Sequence, residues 1–156
     1  MLTRSAQAIT KWKGFDEAID RWLEERHELI VQLSDFAANH DFEKPTAEVE
    51  EKLAKFIALL IDYVSAGHFE FYQQLVAEGR EFEDLEAVEN SKALLDTIDE
   101  STQRALDFHE KYEHLDDLAQ CATDISALAE DLVVRFDAED QMINSLHKGH
   151  LGQLTV

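Results

Sequence analysis

Apolar residues recur at spacings of three and four along nearly the whole chain, the period of helices that bury one face. A first stripe of Ile19, Trp22, Leu23, Leu29, Ile30, Leu33 and Phe36 predicts a helix from about Phe15 to Asn39. Gly14 separates it from a short N-terminal leader helix carrying Ile9 and Trp12. A second helix follows Pro45 and Thr46 and ends near Gly79. Glu48, Glu50 and Glu51 lie in its first turns, where the helix dipole favours carboxylates. Leu85, Val88, Leu95, Ile98, Ala105 and Phe108 mark a third helix from about Asp84 to Tyr112, with Asn90 and Ser91 placed to break it and cap a restart. Leu118, Ile125, Leu132, Phe136, Ile143 and Leu146 mark a fourth, starting near Asp116 and ending before Gly149. Connections of a few residues make neighbours antiparallel. The expected fold is therefore all-α, an antiparallel up-down-up-down four-helix bundle with a short leader helix. It forms one domain over residues 1–156, with a flexible tail after about residue 147.

Polar residues interrupt these stripes, and the interruptions align. Arg26 lies between Trp22 and Leu29 on the first helix, His68 in mid-second helix, and Glu139 between Phe136 and Met142 on the fourth. At 1.5 Å rise per residue they stand about 16, 15 and 12 Å from the same end of the bundle. Arg26, His68 and Glu139 are therefore expected in one buried polar layer, with Tyr72 and Arg135 close by. Buried charges are tolerated when paired and hydrogen-bonded.

The stretch Ile61–Phe71, IDYVSAGHFEF, carries a second signal. Val64, Gly67, Phe71 and Leu75 continue the apolar stripe of Leu53, Ile57 and Leu60. Asp62, Ser65 and Phe69 fall on another face, which puts an acid, a small hydroxyl and a bare phenyl ring together where water is expected. An exposed Phe among small and acidic neighbours is a candidate docking anchor. The alternative is a wide helix with a second buried face.

Three strings, DRWLEER at Asp20–Arg26, IDYVSAGHFEFY at Ile61–Tyr72 and RFDAED at Arg135–Asp140, resemble the Rsd/AlgQ family of bacterial anti-sigma factors. The likeness is collinear from Leu2 to about His147 and thinnest over Asn39–Glu50, Glu81–Leu95 and the tail. It implies an all-helical protein that captures the C-terminal region of the housekeeping sigma factor, the region that reads the −35 promoter element. On that resemblance Asp62, Ser65 and Phe69 would engage sigma, blocking its contact with promoters and with core polymerase.

The charge balance fits such a partner: 34 acids against 14 Lys and Arg give a formal charge of −20. This field repels nucleic acid, so no direct DNA or RNA partner is expected, and it attracts basic surfaces. The same acidity would also serve solubility alone. The single Cys121 excludes an internal disulfide and suits a reducing cytoplasm, and its place on the stripe with Leu118 and Ile125 points to core packing. No N-terminal apolar run is long enough for a signal peptide or a membrane span.

The sequence also leaves room for a metal-binding sensor, because helical bundles hold carboxylate and histidine iron sites and GHFEFY and RFDAED bear a faint likeness to hemerythrin motifs. Against it, His68 is followed at i+4 by Tyr72 and not by a further ligand. A ferritin-like site needs two Glu-x-x-His pairs, whereas only Glu24 with His27 fits, and an Arg in the layer repels a cation. A paired Arg and Glu account for the layer without metal, so no cofactor is expected. His40, His109, His114, His147 and His150 lack ligand spacing and are expected at the surface. No Gly-rich phosphate loop, nucleophile elbow or HExxH string supports catalysis. A third reading is an acidic adaptor that binds several regulatory proteins.

Overall fold

A computed structural model describes the backbone of residues 2–39, 42, 46–115 and 117–151, and the side chains of residues 10–37, 42, 46–115 and 117–150. These residues are helical almost throughout, with no strand among them. Helix α1 spans Leu2–Asn39, α2 Ala47–Ala66, α3 Tyr72–Glu81, α4 Leu85–Tyr112, α5 Cys121–Ile143 and α6 Gly149–Leu151. Wide π-helical turns, Gly67–Phe71 and Asn144–Lys148, join α2 to α3 and α5 to α6 without a break in the rod. The protein is an all-α bundle whose long rods are α1, α2–α3, α4 and α5–α6. No helix among the described residues is long and apolar enough to cross a membrane.

Local chemistry sets most of the ends. Thr46 caps α2, its hydroxyl accepting from the Val49 N–H at 3.3 Å, and Asp84 caps α4 by accepting from the Ala87 N–H at 3.1 Å. At the end of α3, Glu83 takes the left-handed conformation (φ 58°), and the N–H groups of Glu83 and Asp84 return to the carbonyls of Arg80 and Gly79. That pattern closes the helix and hands Asp84 directly to the next one.

Several boundaries differ from those the sequence predicts. Gly14 does not separate a leader, because α1 runs through it: one glycine costs an otherwise well-formed helix only about 1 kcal/mol. Ser91 does not restart α4; it is buried and its hydroxyl donates to the Val88 carbonyl one turn back at 2.6 Å. The fourth rod starts at Cys121 and continues past Gly149 to Leu151. Asp116, His40, Pro45, the side chain of Ile9 and residues 152–156 lie outside the described residues.

The core is strongly aromatic. The Trp22 ring stacks between Tyr63 (4.9 Å between centroids) and Phe71 (4.4 Å), and its indole N–H donates to the Tyr63 carbonyl at 3.2 Å. Phe36 near the end of α1 meets Phe56 of α2, and Phe56 meets Phe108 near the end of α4. Arg104 reaches Asp131 and Lys111 reaches Asp124, so α4 and α5 run in opposite directions. Ile30 and Leu85, expected on the core stripes, are exposed. Ile30 sits on the edge of a stripe centred on Trp22, Leu29 and Leu33, and Leu85 is the first residue of α4.

Gly67 matters most for this packing. A Cβ built there would lie 2.6 Å from the Tyr72 hydroxyl and 3.0 Å from the Trp22 ring, whereas one at Gly14 meets nothing within 4 Å. Gly67→Ala should therefore destabilise by about 1–3 kcal/mol through overpacking. Gly14→Ala should stabilise by about 0.5–1 kcal/mol through helix propensity. Urea midpoints of the two variants check this, and a Gly67→Ala protein as stable as the parent would contradict the packing argument.

Candidate functional site

A buried carboxylate organises the middle of the bundle. Glu139 on α5 accepts the Tyr63 hydroxyl at 2.5 Å on one oxygen and the Tyr72 hydroxyl at 2.6 Å on the other. Each phenol in turn accepts from a guanidinium: Tyr63 from Arg26 Nε at 3.1 Å, and Tyr72 from Arg135 Nη2 at 2.6 Å. Arg26 also stands 3.4 Å from Glu139 and donates to Asp140 at 2.6 Å on the surface side. Arg135 is fully buried; its Nε faces Glu139 at 3.4 Å, and its Nη1 donates to Ser101 at 3.0 Å and Thr102 at 2.7 Å on α4. The chain of contacts thus runs Arg26, Tyr63, Glu139, Tyr72, Arg135 and ties together every long rod.

Electrostatics keeps these phenols neutral. Burial, reinforced by the Glu139 charge, pushes Tyr63 and Tyr72 well above the ordinary tyrosine range. Burial opposes the charge on Arg26, but Tyr63, Asp140 and Glu139 outweigh it and raise its pKa further. Tyr63, Tyr72 and Arg26 therefore all keep their protons near neutrality.

The structure brings Arg26, Tyr72, Arg135 and Glu139 together but leaves His68 out. His68 is exposed on the lip of a groove with Tyr72, Gln73, Val76, Arg80, Leu95 and Asp99. The cause is the wide turn, in which the Tyr72 N–H bonds to the Gly67 carbonyl five residues back. At about 100° per residue, Tyr63 and Tyr72 would lie on opposite sides of an unbroken α-helix. Absorbing one extra residue brings them to within about 80° of each other, so both reach Glu139 and Tyr72 fills the interior beside Gly67. Tyr63 itself carried a signal that sequence reading missed: a tyrosine on the apolar stripe buries a hydroxyl that must find a partner.

A second polar cluster lies at the base of the bundle, and it corrects the expectation that His147 and His150 are surface residues. Both are buried. His147, in the wide turn after α5, sets Nδ1 2.6 Å from Glu78 and Nε2 2.7 Å from Asp16. His150 sets Nδ1 2.9 Å from the Leu146 carbonyl and Nε2 2.9 Å from Asp84. The rod continues inward past Ile143, so Leu146, His147 and His150 prolong its buried side at spacings of three and four. Glu78, three residues beyond Leu75 on the α3 stripe, was the matching signal on the other side. Of the remaining histidines, His109 is partly buried and His114 exposed.

The exposed stripe has a different character. Phe69 protrudes from the wide turn with 75% of its surface in water, its ring edge-on to His68 at 4.8 Å. Asp62 is exposed and Ser65 half-exposed, one helical turn apart on α2, and Asp62 borders a groove with Ala58 and Ile61 of α2 and His109 and Tyr112 of α4. Glu25 on α1 lies close by. Its carboxyl is raised by partial burial and by the negative charges of Asp62 and Glu70. Glu25 is thus crowded by two further carboxylates, Asp62 and Glu70, an arrangement relieved when a cation arrives.

Elsewhere the chemistry is quiet. Burial, then the Asp124 charge, pushes the Cys121 thiol up to about 12, so it behaves as a small apolar group. Among the described residues no three His, Cys, Asp or Glu side chains converge as a metal site requires. At the base His147 bridges Glu78 and Asp16 through its two ring nitrogens, and His150 bonds Asp84.

Comparison with known proteins gives a consistent result. The family model described as Regulator of RNA polymerase sigma(70) subunit, Rsd/AlgQ, matches residues 1–147. A protein named Regulator of sigma D from Yersinia enterocolitica is 29% identical over 153 residues, covering 92% of this chain and 88% of that protein. A protein of the same name from Sodalis glossinidius is 33% identical over 134 residues, covering 83% of this chain and 88% of its own length.

The network geometry predicts unequal losses. Glu139→Leu strands the buried Arg135 and leaves two phenols without an acceptor, and should cost about 3–5 kcal/mol. Arg26→Met should cost less, because Arg26 lies at the rim and its other carboxylate partner, Asp140, is half exposed. Adding Arg135→Met to Glu139→Leu should recover much of the loss, since no charge then remains unpaired. A double-mutant cycle in urea checks this, and strictly additive losses would show that the two residues do not interact.

Proposed function

The chain belongs to the Rsd/AlgQ family, and from that premise we propose that it is an anti-sigma factor acting by sequestration. The Asp62, Ser65 and Phe69 stripe docks the C-terminal, −35-reading region of the housekeeping sigma factor. Occupying that region keeps sigma from promoters and from core RNA polymerase and leaves core free for alternative sigma factors. The observation that carries this reading is Phe69: a large apolar side chain, mostly in water, on a turn whose inward residues are held rigidly.

Charge supports the same reading. A sigma region that binds DNA phosphates presents basic side chains, and a chain with a formal charge of −20 attracts them at long range. Close in, the mutually repelling Glu25, Asp62 and Glu70 gain when a partner's Arg or Lys arrives. The role is one of binding; neither polar cluster presents an accessible nucleophile or a base beside a substrate cavity.

Binding to purified sigma factor and to its isolated C-terminal region, followed by calorimetry, tests the proposal. Phe69→Ala should leave helicity and melting nearly unchanged and weaken binding by about 1–3 kcal/mol. Asp62→Lys should abolish binding by setting like charges together, and Asp62→Asn should weaken it less. Undiminished binding by both Phe69→Ala and Asp62→Lys would remove this face from the interface.

A further inference from the structure

We propose that Asp16, Glu78 and His147, with His150 and Asp84 beside them, form a proton-dependent clasp that holds the C-terminal turns of the last rod on the base of the bundle. The clasp joins the four long rods: Asp16 comes from α1, Glu78 from α3, Asp84 from the cap of α4, and the histidines from the last wide turn and α6 of the fourth rod.

The argument begins with counting protons. His147 lies between two carboxylates, with Nδ1 on Glu78 and Nε2 on Asp16, and each of those short contacts needs one proton. The three groups together must therefore hold two. With the segment open to water, the imidazole keeps a second proton only below about pH 6.5, and both carboxylates are ionised. Above that pH the closed clasp holds one proton more than the open form. His150 lies beside this triad, its Nδ1 2.9 Å from the Leu146 carbonyl and its Nε2 2.9 Å from Asp84. Glu78 is fully buried, and its second oxygen has no hydrogen-bond partner, only His150 Nδ1 at 3.8 Å. An ionised carboxylate so placed depends on the imidazolium beside it.

The other charged groups nearby do not replace that proton. Glu81 adds negative charge near Glu78 but is itself paired with Lys11 at 3.5 Å, and Phe15 and Phe82 cover the two imidazole rings with apolar surface. The His147 and Glu78 pKa values are both raised, His147 because its two carboxylate bonds outweigh burial and Glu78 chiefly because of burial. The sign follows. A raised folded-state pKa gives stability that is complete below the open-state value and is lost as pH rises through the folded value.

Amide exchange of residues 143–151, expressed as protection factors between about pH 6 and about pH 9, tests the clasp. One linked proton predicts that the opening constant of this segment climbs as much as tenfold per pH unit above about pH 6.5. Glu78→Gln supplies an N–H to His147 Nδ1, so a neutral imidazole suffices there and the His147-linked climb should vanish. Asp16→Asn makes the same exchange from the exposed rim and serves if the buried substitution prevents folding. A flat profile in the parent would overturn the proposal, as would a climb undiminished in whichever of these variants folds. A climb shared equally by residues 98–108 would also overturn it, because that reports titration of the whole fold.

Discussion

The buried Glu139 carboxylate is the constraint on which the rest of this structure depends. Left alone in an apolar interior, an ionised carboxylate costs several kcal/mol, so the fold must bring it donors. It does so with two tyrosine hydroxyls and two guanidinium groups drawn from all sides of the bundle. The two tyrosines lie on one rod but nine positions apart, which a regular helix would place on opposite faces. The wide turn at Gly67–Phe71 resolves that conflict, and Gly67 is the residue over which the Tyr72 hydroxyl passes. A helical irregularity, a glycine and an acid on another helix are thus parts of one solution.

What the sequence made legible follows from what periodicity can encode. Four apolar stripes at helical spacing are redundant signals, each carried by six or more residues, and a few exposed members such as Ile30 or Leu85 do not disturb them. Arg26 and Glu139 could be brought to one level by counting rise per residue, with Tyr72 and Arg135 close by, because axial height tolerates small errors. Rotation about the helix does not. One inserted residue shifts every later side chain by about 100°, so across the wide turn Tyr72 comes to face Glu139 while His68, on the turn itself, faces water. The aromatic-rich string around Gly67 was the visible trace of that insertion, but nothing in a strict 3.6-residue pattern identifies it.

The base cluster was hidden for a different reason. Ending the last helix before Gly149 left His147 at its very end and His150 in a tail, where histidines are ordinarily solvated. The chain instead spends a second wide turn to keep Leu146, His147 and His150 facing inward, with Glu78 and Asp84 waiting on the α3–α4 corner. Local propensity gives no hint of this, because the partners are more than sixty residues away in sequence. Only pairing two anomalies, an acid on one apolar stripe and a histidine on another, would have revealed it.

The wide turn that satisfies Glu139 also determines how Phe69 is presented. Inside, Phe71 is stacked on Trp22 and on Phe15, Gly67 is pressed between Tyr72 and Trp22, and Tyr72 is held by Glu139 and Arg135. Outside, Phe69 leaves the same turn into water. A surface anchor on a flexible loop would lose backbone freedom on docking, and that loss would subtract from affinity. An anchor on a turn whose inward residues, Gly67 and Phe71, are already packed loses little beyond its own rotamer freedom. In the proposed role, the binding face therefore draws its rigidity from the buried charge network. Disturbing Glu139 would reach the partner through the geometry of this turn, without any contact between that residue and sigma.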